Sequence, residues 1–252
     1  MNTLKPVAFL GFDAGRVVNE LYKLEAQFLP TVVPSSAKLE RVIQGLEPLG
    51  FLGAVFVGAP SQEAIKLVDG VTSSAERDGA IDAIGVIRGT QGTHTLEDGL
   101  LAALDAIGYR GFGSNALVIG GDASASAAVQ VARAGVKNLT IAAPDRPHAE
   151  RLARYAPAGV SIRAISSFEP AFAQALERAD LLLLCDQKFM LEPRHLQPYH
   201  TLIEVAAESS LSVALERIGG QIISHKTVQK HHLAAQLEFV IGRRLKLDAL
   251  FS

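Results

Sequence analysis

A glycine turn near the middle of the chain has the residue types of a phosphate-binding loop. Gly120 and Gly121 follow an apolar run at 115–119, and Ala123 opens an alanine-rich segment. A dinucleotide site carries G-x-G-x-x-G/A at such a turn, where the second glycine lets backbone N–H groups approach the diphosphate at the helix N-terminus. Asp122 stands at the position of that second glycine. The candidate cofactor-binding residues of the turn are Gly120, Gly121, Asp122 and Ala123.

Asp122 leaves two interpretations of this turn open. Its carboxylate can cap the following helix, and it would repel a phosphate group placed at the same point. A shifted turn could instead keep the backbone N–H groups available to a dinucleotide.

Neither the two serines that follow the turn nor the cysteine is predicted to be a nucleophile. Ser124 and Ser126 lie in the alanine-rich segment without the G-x-S-x-G pattern of a hydrolase nucleophile. Cys185 is the single cysteine and follows an apolar run, so we expect a small buried residue. A single cysteine also excludes an internal disulfide and a zinc site built from cysteines.

The elements around the turn predict an α/β protein. The run at 115–119, the helical segment at 123–134 and the run at 138–143 form a βαβ pattern, with a first strand buried on both faces. Alternating strands and helices continue to residue 224, which predicts one parallel sheet. Strands and helices also alternate before residue 60, which predicts a separate α/β domain. Asp78–Arg88 is predicted as a further strand with a turn.

Composition restricts the function classes. A chain of 252 residues accommodates two domains. A net charge of −2 provides no electrostatic footprint for nucleic acid or an anionic membrane. The sequence does not begin with a signal-peptide pattern and contains no apolar run of membrane-spanning length, so a cytoplasmic protein is expected.

Four segments, taken in order, are similar to the motifs of one known family. FVGAPSQ at 56–62 is similar to N-V-T-I-P-H-K, and GAIDA at 79–83 is similar to G-A-V-N-T. GTHTLEDG at 92–99 is similar to G-x-N-T-D-x-x-G, and HLAAQLEFVIG at 232–242 is similar to Q-x-x-x-x-F-E-L-W-T-G. Through these motifs the chain resembles the shikimate and quinate dehydrogenase family, and the resemblance extends over most of the chain.

This resemblance implies a two-domain α/β fold and an oxidoreductase. It implies an N-terminal substrate domain over residues 1–105, a Rossmann-like NAD(P)-binding domain with a parallel sheet over 106–232, and a C-terminal helix at 233–252 that returns to the first domain. The implied reaction is the NAD(P)-dependent oxidation of a small hydroxylated cyclic acid.

The catalytic positions that the resemblance assigns are altered. A lysine and an aspartate relay the proton in the family, and these positions are Gln62 and Leu96 here. An amide can orient a hydroxyl group but cannot exchange a proton near neutral pH. Asp98, two positions later, points in another direction if Leu96 begins a helix. We therefore predict little or no shikimate dehydrogenase activity.

The positions that bind substrate in the family are mostly replaced as well. Thr95 is retained, whereas a glutamine is replaced by His232 and two asparagines by Asp82 and His94. Arg16 lies in a shortened loop, where it could bind a carboxylate bidentately or be a solvated residue at a helix start.

Asp82, His94 and His232 should point toward one cleft if the alignment with the family holds. They could form a metal site with two histidines and a carboxylate, or an acid–base or binding set. In the third interpretation His232 belongs to the solvated basic face of the helix, together with neighbouring histidine and lysine residues.

The cofactor positions give conflicting indications about NAD and NADP. Asp145 at a strand end favours a ribose diol and hence NAD over NADP, whereas Arg146 argues for the 2′-phosphate. Phe189 replaces a glycine that lies near the nicotinamide in the family, and it could close that pocket. NAD or NADP is thus the implied cofactor, although Asp122 and Phe189 both oppose its binding.

Three functions remain open at this point. The chain is an oxidoreductase relative without the family activity, a non-catalytic small-ligand-binding or regulatory protein, or an enzyme of another class that uses Asp82, His94 and His232. The expected partner is a small polar or anionic ligand, with no nucleic acid and no membrane, and a homodimer is left open.

Overall fold

The computed structural model describes residues 4–23, 28–186, 192–243 and 245. The chain divides into two compact units, the first comprising Met1–Leu96 and Lys230–Ser252 and the second Glu97–Gln229. No helix among the described residues is long and apolar enough to cross a membrane.

The first unit is built on a mixed six-stranded sheet. Its strand order is β2-β1-β3-β5-β6-β4. Strand β5 runs antiparallel to both β3 and β6, while β1 runs parallel to β2 and β3. The strands are β1 (Pro6–Leu10), β2 (Leu29–Val32), β3 (Gly53–Phe56), β4 (Gly70–Val71), β5 (Ala83–Val86) and β6 (Thr90–Thr93). Its helices are α1 (Ala14–Tyr22), α2 (Leu39–Leu46), α3 (Ser73–Asp78) and most of α9 (His225–Ile241), whereas α4 (Leu96–Ala106) belongs to the second unit except for its first residue.

Both faces of this sheet are covered because its central strands are apolar on both sides. On one face, Val7 and Phe9 of β1 pack in a cluster with Leu21 of α1 and Leu233 and Leu237 of α9. On the other face, Ala8, Ala54 and Ile84 pack with residues of α2. Burial of these side chains is the main force that holds α9 against the sheet.

The second unit is a fully parallel six-stranded sheet with the order β12-β11-β10-β7-β8-β9. All five of its neighbouring strand pairs are parallel. The strands are β7 (Asn115–Ile119), β8 (Asn138–Ala143), β9 (Ser161–Ser166), β10 (Leu181–Leu184), β11 (Thr201–Glu204) and β12 (Gln221–Ile223). The helices are α5 (Ala123–Val129), α6 (Arg146–Ala153), α7 (Ala171–Arg178) and α8 (Ser210–Arg217).

The Rossmann-like order of this sheet follows from its sequence pattern. Strand β10 consists of four leucines, all buried, as expected for a parallel strand covered on both faces. The strand order reverses beside β7, where ligands bind in open α/β sheets. The predicted α/β fold class, with a parallel sheet in the Rossmann-like part, is therefore confirmed.

Two sequence-based expectations about the elements were wrong. Asp78–Arg88 is not one strand segment, because Asp78 is the last residue of α3 and the strand begins only at Ala83. The hydroxyl group of Thr72 caps α3, and Gly79 ends it in a left-handed conformation. The alanine-rich helix is also shorter than predicted, since α5 ends at Val129 and a 3₁₀ helix continues over Gln130–Ala134.

Candidate functional site

Asp82 lies at the centre of a buried polar network in the first unit. The residue precedes β5, and none of its surface is exposed. Its backbone N–H donates to Thr93 O at 2.9 Å, and its carbonyl oxygen accepts from Phe56 N at 2.8 Å. These bonds to both neighbouring strands hold the Asp82 side chain in one position.

The Asp82 carboxylate accepts hydrogen bonds from three donors. The backbone N–H of Thr95 lies 2.8 Å from Oδ2, and the Thr95 hydroxyl lies 3.1 Å from Oδ1. His232 Nε2 on α9 lies 2.6 Å from Oδ2. The network thus joins a strand end, the start of α4 and the C-terminal helix, so three sequence-predicted site residues do come together.

Gln236, which the sequence analysis missed, holds α9 against the sheet beside this network. It lies one turn after His232, and its side-chain amide donates to the carbonyl oxygens of Phe56 and Asp82 at 3.0 Å each. The i, i+4 spacing of His232 and Gln236 was the sequence signal that could have identified it.

His94 connects Asp82 to a second buried carboxylate. Its Nδ1 lies 2.6 Å from Asp78 Oδ2, and its Nε2 lies 3.7 Å from Asp82 Oδ2. Arg77 binds Asp78 through two hydrogen bonds of 2.7 and 2.8 Å. Asp78 and Arg77 were not among the predicted site residues, because Asp78 was expected to begin a strand and Arg77 was assigned no role.

The surroundings of His94 favour its protonated form. Burial disfavours the imidazolium, but the hydrogen bond to Asp78 and the charges of Asp82 and Asp78 outweigh it, and the pKa of His94 is raised despite the opposing charge of Arg77. Within the described residues His94 Nε2 is buried and has no hydrogen-bond partner. The nearest carboxylate oxygen is that of Asp82, beyond hydrogen-bond distance.

Three interpretations of Asp82, His94 and His232 can now be compared with the geometry. Among the described residues, no group of three or more histidine, cysteine or acidic side chains is arranged to hold a metal ion. His232 is not a solvated residue, because its side chain is only 14% exposed and binds a buried carboxylate. The arrangement can hold and transfer protons, since each of its histidines faces an acceptor.

Gln62 and Leu96, at the positions that the resemblance assigned to the proton relay, differ from each other in burial. Gln62 is exposed in the segment between Ser61 and the 3₁₀ helix at Ala64–Lys66, whereas Leu96 is 6% exposed and begins α4. Asp98, two residues further along α4, is exposed. Arg16 is an exposed residue of α1 and lies 3.8 Å from the Asp13 carboxylate.

The glycine turn of the second unit has Asp122 as a helix cap. The Asp122 carboxylate accepts from Ala125 N at 3.1 Å, and Ala123 begins α5. Gly120 has φ +147°, and a Cβ atom there would lie 3.0 Å from the Cβ of Cys185. Gly121 packs beside Pro144. Of the two interpretations of this turn, the structure shows the cap.

The residues after β8 also bind one another. The Asp145 carboxylate caps α6 by accepting from His148 N at 2.9 Å, and His148 Nδ1 lies 2.7 Å from the same oxygen. The hydrogen bonds from the backbone and ring of His148 lower the pKa of Asp145. Arg146 binds Glu150 at 3.1 Å. Phe189 lies outside the described residues.

Comparison with known proteins identifies a relative over most of the chain. The chain is 33% identical over 238 aligned residues to shikimate dehydrogenase (NADP(+)) of Symbiobacterium thermophilum, with 86% of this chain and 80% of that protein covered. No family model matches the chain.

Solved structures share the fold at lower identity. Shikimate 5-dehydrogenase of Listeria monocytogenes, in complex with shikimate and NAD, is 17% identical with a TM-score of 0.79, and the match covers 98% of this chain and 94% of that chain. Quinate dehydrogenase of Corynebacterium glutamicum, in complex with NAD, is 16% identical with a TM-score of 0.79, covering 98% and 96%. 5-Ketofructose reductase of a Gluconobacter species is 17% identical with the same TM-score, also covering 98% and 96%.

Proposed function

The chain belongs to the shikimate dehydrogenase family of oxidoreductases, and we propose that it has little or no shikimate dehydrogenase activity. The observation that carries this proposal is the chemistry at the two proton-relay positions. Leu96 is a buried hydrocarbon side chain and Gln62 an amide, so neither can give or take a proton near neutral pH. Loss of general acid–base catalysis lowers a rate by about 10²–10⁴-fold.

The cofactor that the family implies, NAD or NADP, does not fit the glycine turn well. The Asp122 carboxylate occupies the N-terminus of α5, where the diphosphate would accept backbone hydrogen bonds, and it carries the same sign of charge. Asp145, which would bind a ribose diol, is bonded to His148 instead. We therefore expect weak dinucleotide binding, with NAD preferred over NADP because Asp145 would repel a 2′-phosphate.

A direct assay tests this proposal. The purified protein is incubated with shikimate or quinate and with NAD or NADP, and the Symbiobacterium thermophilum relative serves as the positive control. We expect turnover at most about 10⁻² of that of the relative. Turnover equal to that of the relative would overturn the proposal.

A gain-of-function variant adds a second test. Gln62→Lys combined with Leu96→Asp restores both ionisable groups, and Gln62→Lys alone keeps the buried position apolar. If the missing proton relay is the cause of inactivity, the double variant should exceed the single variant in turnover. A circular dichroism spectrum checks that Leu96→Asp still folds, since it introduces a carboxyl group at a buried position.

The second candidate function is the binding of a small ligand without catalysis of the family reaction. The specific observation in its favour is the polar cluster of Asp82, Thr95 and His232, whose side chains are hydrogen-bonded to one another although ionisable groups are absent from positions 62 and 96. Its partner would be a small polar or anionic molecule. Thermal-shift measurements separate the two roles, because stabilisation by metabolites without stabilisation by NAD or NADP indicates a binding protein.

A further inference from the structure

The chain passes between its two units through two connecting segments, residues 93–100 and residues 226–236. Thr95 lies in the first segment and donates its backbone N–H to the Asp82 carboxylate at 2.8 Å and its hydroxyl at 3.1 Å. His232 lies in the second segment, and its Nε2 is hydrogen-bonded to Asp82 Oδ2 at 2.6 Å. One buried carboxylate of the first unit therefore binds both connecting segments.

The burial of Asp82 makes its charge balance sensitive to His94. A buried carboxylate requires a compensating charge in addition to its hydrogen bonds. Within the part of the chain that the structure describes, two ionisable side chains face it, His232 at 2.6 Å and His94 Nε2 at 3.7 Å. His232 is partly exposed, whereas the His94 side chain is fully buried and its Nε2 has no hydrogen-bond partner among these residues. A proton on His94 is therefore a compensating charge that water cannot replace.

A second carboxylate fixes the other side of the His94 ring. Nδ1 lies 2.6 Å from Asp78 Oδ2, and Arg77 binds Asp78 at 2.7 and 2.8 Å. With a protonated His94, the two positive and two negative groups of Arg77, Asp78, His94 and Asp82 sum to no net charge. A carboxylate only accepts hydrogen bonds, so a neutral His94 keeps its proton on Nδ1 and turns an unprotonated Nε2 toward Asp82. The four groups then carry one uncompensated negative charge.

We propose that His94 is a proton-sensitive latch for the two connecting segments, because its protonated ring compensates the Asp82 charge to which both segments are bound. When the Nε2–H bond breaks, the proton passes to water during a local opening, and the unprotonated nitrogen repels the Asp82 carboxylate. The carboxylate then gains hydration by leaving the buried site, which requires its bonds to Thr95 and His232 to open. The latch acts in the first unit whether or not the protein turns over shikimate.

The latch is closed at low pH and opens as the pH rises. Burial lowers the pKa of His94, but the hydrogen bond to Asp78 and the charges of Asp82 and Asp78 raise it above its ordinary value, despite the opposing charge of Arg77. Below 6.5 the ring is protonated in both the closed and the open state, so the latch keeps its full stability. Between 6.5 and the raised pKa only the closed state holds the proton, and the equilibrium constant for closing falls by up to about tenfold per pH unit.

Hydrogen exchange with mass spectrometry on the full-length protein tests the latch, with protection factors corrected for the intrinsic pH dependence of exchange. Between pH 6 and pH 9 the protection of both connecting segments should fall, by up to about tenfold per pH unit. It should also lie below the protection that global unfolding in urea gives at the same pH. Protection that does not change with pH in either segment, or that falls in only one of them, would overturn the proposal. Protection equal to that of global unfolding at every pH would also overturn it, since the segments would then not open on their own.

Two variants assign the pH dependence to His94. In His94→Gln the side chain keeps a donor for Asp78 but cannot take up a proton, so most of the pH dependence of protection should disappear. Arg77→Gln removes a charge that opposes protonation of His94, so the fall in protection should extend to higher pH. An unchanged pH dependence in His94→Gln would assign the titration to another group, and an unshifted profile in Arg77→Gln would show that the charges around His94 do not control it. Either result overturns the proposal.

His148→Gln is the matched control, because His148 also binds a carboxylate, that of Asp145, but is exposed and lies in the second unit. This variant should leave the pH dependence of both connecting segments unchanged. A loss of pH dependence like that expected for His94→Gln would overturn the specific role of His94. If His94→Gln does not fold, the wild-type profile and Arg77→Gln still decide the proposal. None of these measurements uses shikimate or a dinucleotide, so their outcome is separate from that of the dehydrogenase assay.

Discussion

Replacing Asp82 by alanine should destabilise the first unit far more than the loss of one surface contact. The change removes an acceptor for Thr95 N–H, the Thr95 hydroxyl and His232 Nε2, all at 3.1 Å or less. It also removes the negative charge that faces His94 Nε2 at 3.7 Å. Breaking a buried charged pair costs about 3–5 kcal/mol, and each stranded buried donor costs about 1–3 kcal/mol. Because these costs overlap, we expect a loss of about 3–5 kcal/mol.

Urea unfolding followed by far-ultraviolet circular dichroism measures the free energy of unfolding, and hydrogen exchange with mass spectrometry shows where protection is lost. The loss of protection should fall on peptides from residues 4–96 and 230–243. Asp145→Ala is the matched control, since Asp145 also accepts from a backbone N–H and a histidine ring but is exposed. The reasoning would be refuted if Asp82→Ala were no more destabilising than Asp145→Ala. A double-mutant cycle with His232→Ala should give a coupling energy of about 0.5–3 kcal/mol.

Three further predictions follow from the described contacts. Because the pKa of His94 is raised in the folded protein, the stabilising contribution of His94 is complete below the unfolded value of 6.5 and is lost as pH rises through the higher folded pKa. The urea midpoint of the wild type should therefore fall over that pH range. The His94→Gln variant should show a smaller dependence of the urea midpoint on pH. Gly120→Ala should lower stability by about 1–3 kcal/mol, because φ at Gly120 is +147° and the new Cβ would press on Cys185. Thermal denaturation measures this loss. Gly159→Ala is the comparison, since Gly159 also has a positive φ but open space around it, so that only a backbone cost is expected there. Burial raises the pKa of the Cys185 thiol well above its ordinary value, and Asp122 and Asp186 act in the same direction, so a thiol reagent should label Cys185 only at the rate of unfolding; fast labelling of the folded protein would contradict its burial.

Much of the second unit could be predicted from sequence because its signals are local. Strands β7 and β10 are short apolar runs, and helices α5 and α6 begin directly after the capping side chains of Asp122 and Asp145. The four leucines of β10 give the strand no polar face, which predicts a strand buried on both faces. These patterns require no knowledge of distant residues, so the βαβ alternation and the parallel sheet were predicted correctly.

The candidate site of the first unit was only partly predictable. The resemblance to the family selected Asp82, His94, Thr95 and His232, but not Asp78, Arg77 or Gln236. Asp78 was missed because residues 78–88 were interpreted as a strand with a turn. In the structure Asp78 is the last residue of a short helix that begins after Thr72 and ends at Gly79. Gln236 was missed because its i, i+4 spacing from His232 indicates the helix face that it shares but not the carbonyl groups that its amide binds.

By itself the sequence determined the α/β class, the burial of Cys185 and the absence of ionisable groups at positions 62 and 96, and it left the Asp122 cap as one of two interpretations of the glycine turn. Only the tertiary structure decided that His232, which is 150 residues from Asp82 in the chain, forms a hydrogen bond through Nε2 with that carboxylate. The physical reason is distance along the chain. Periodicity and capping act within a few residues, whereas the partner of a buried charge depends on how the last helix packs against the sheet.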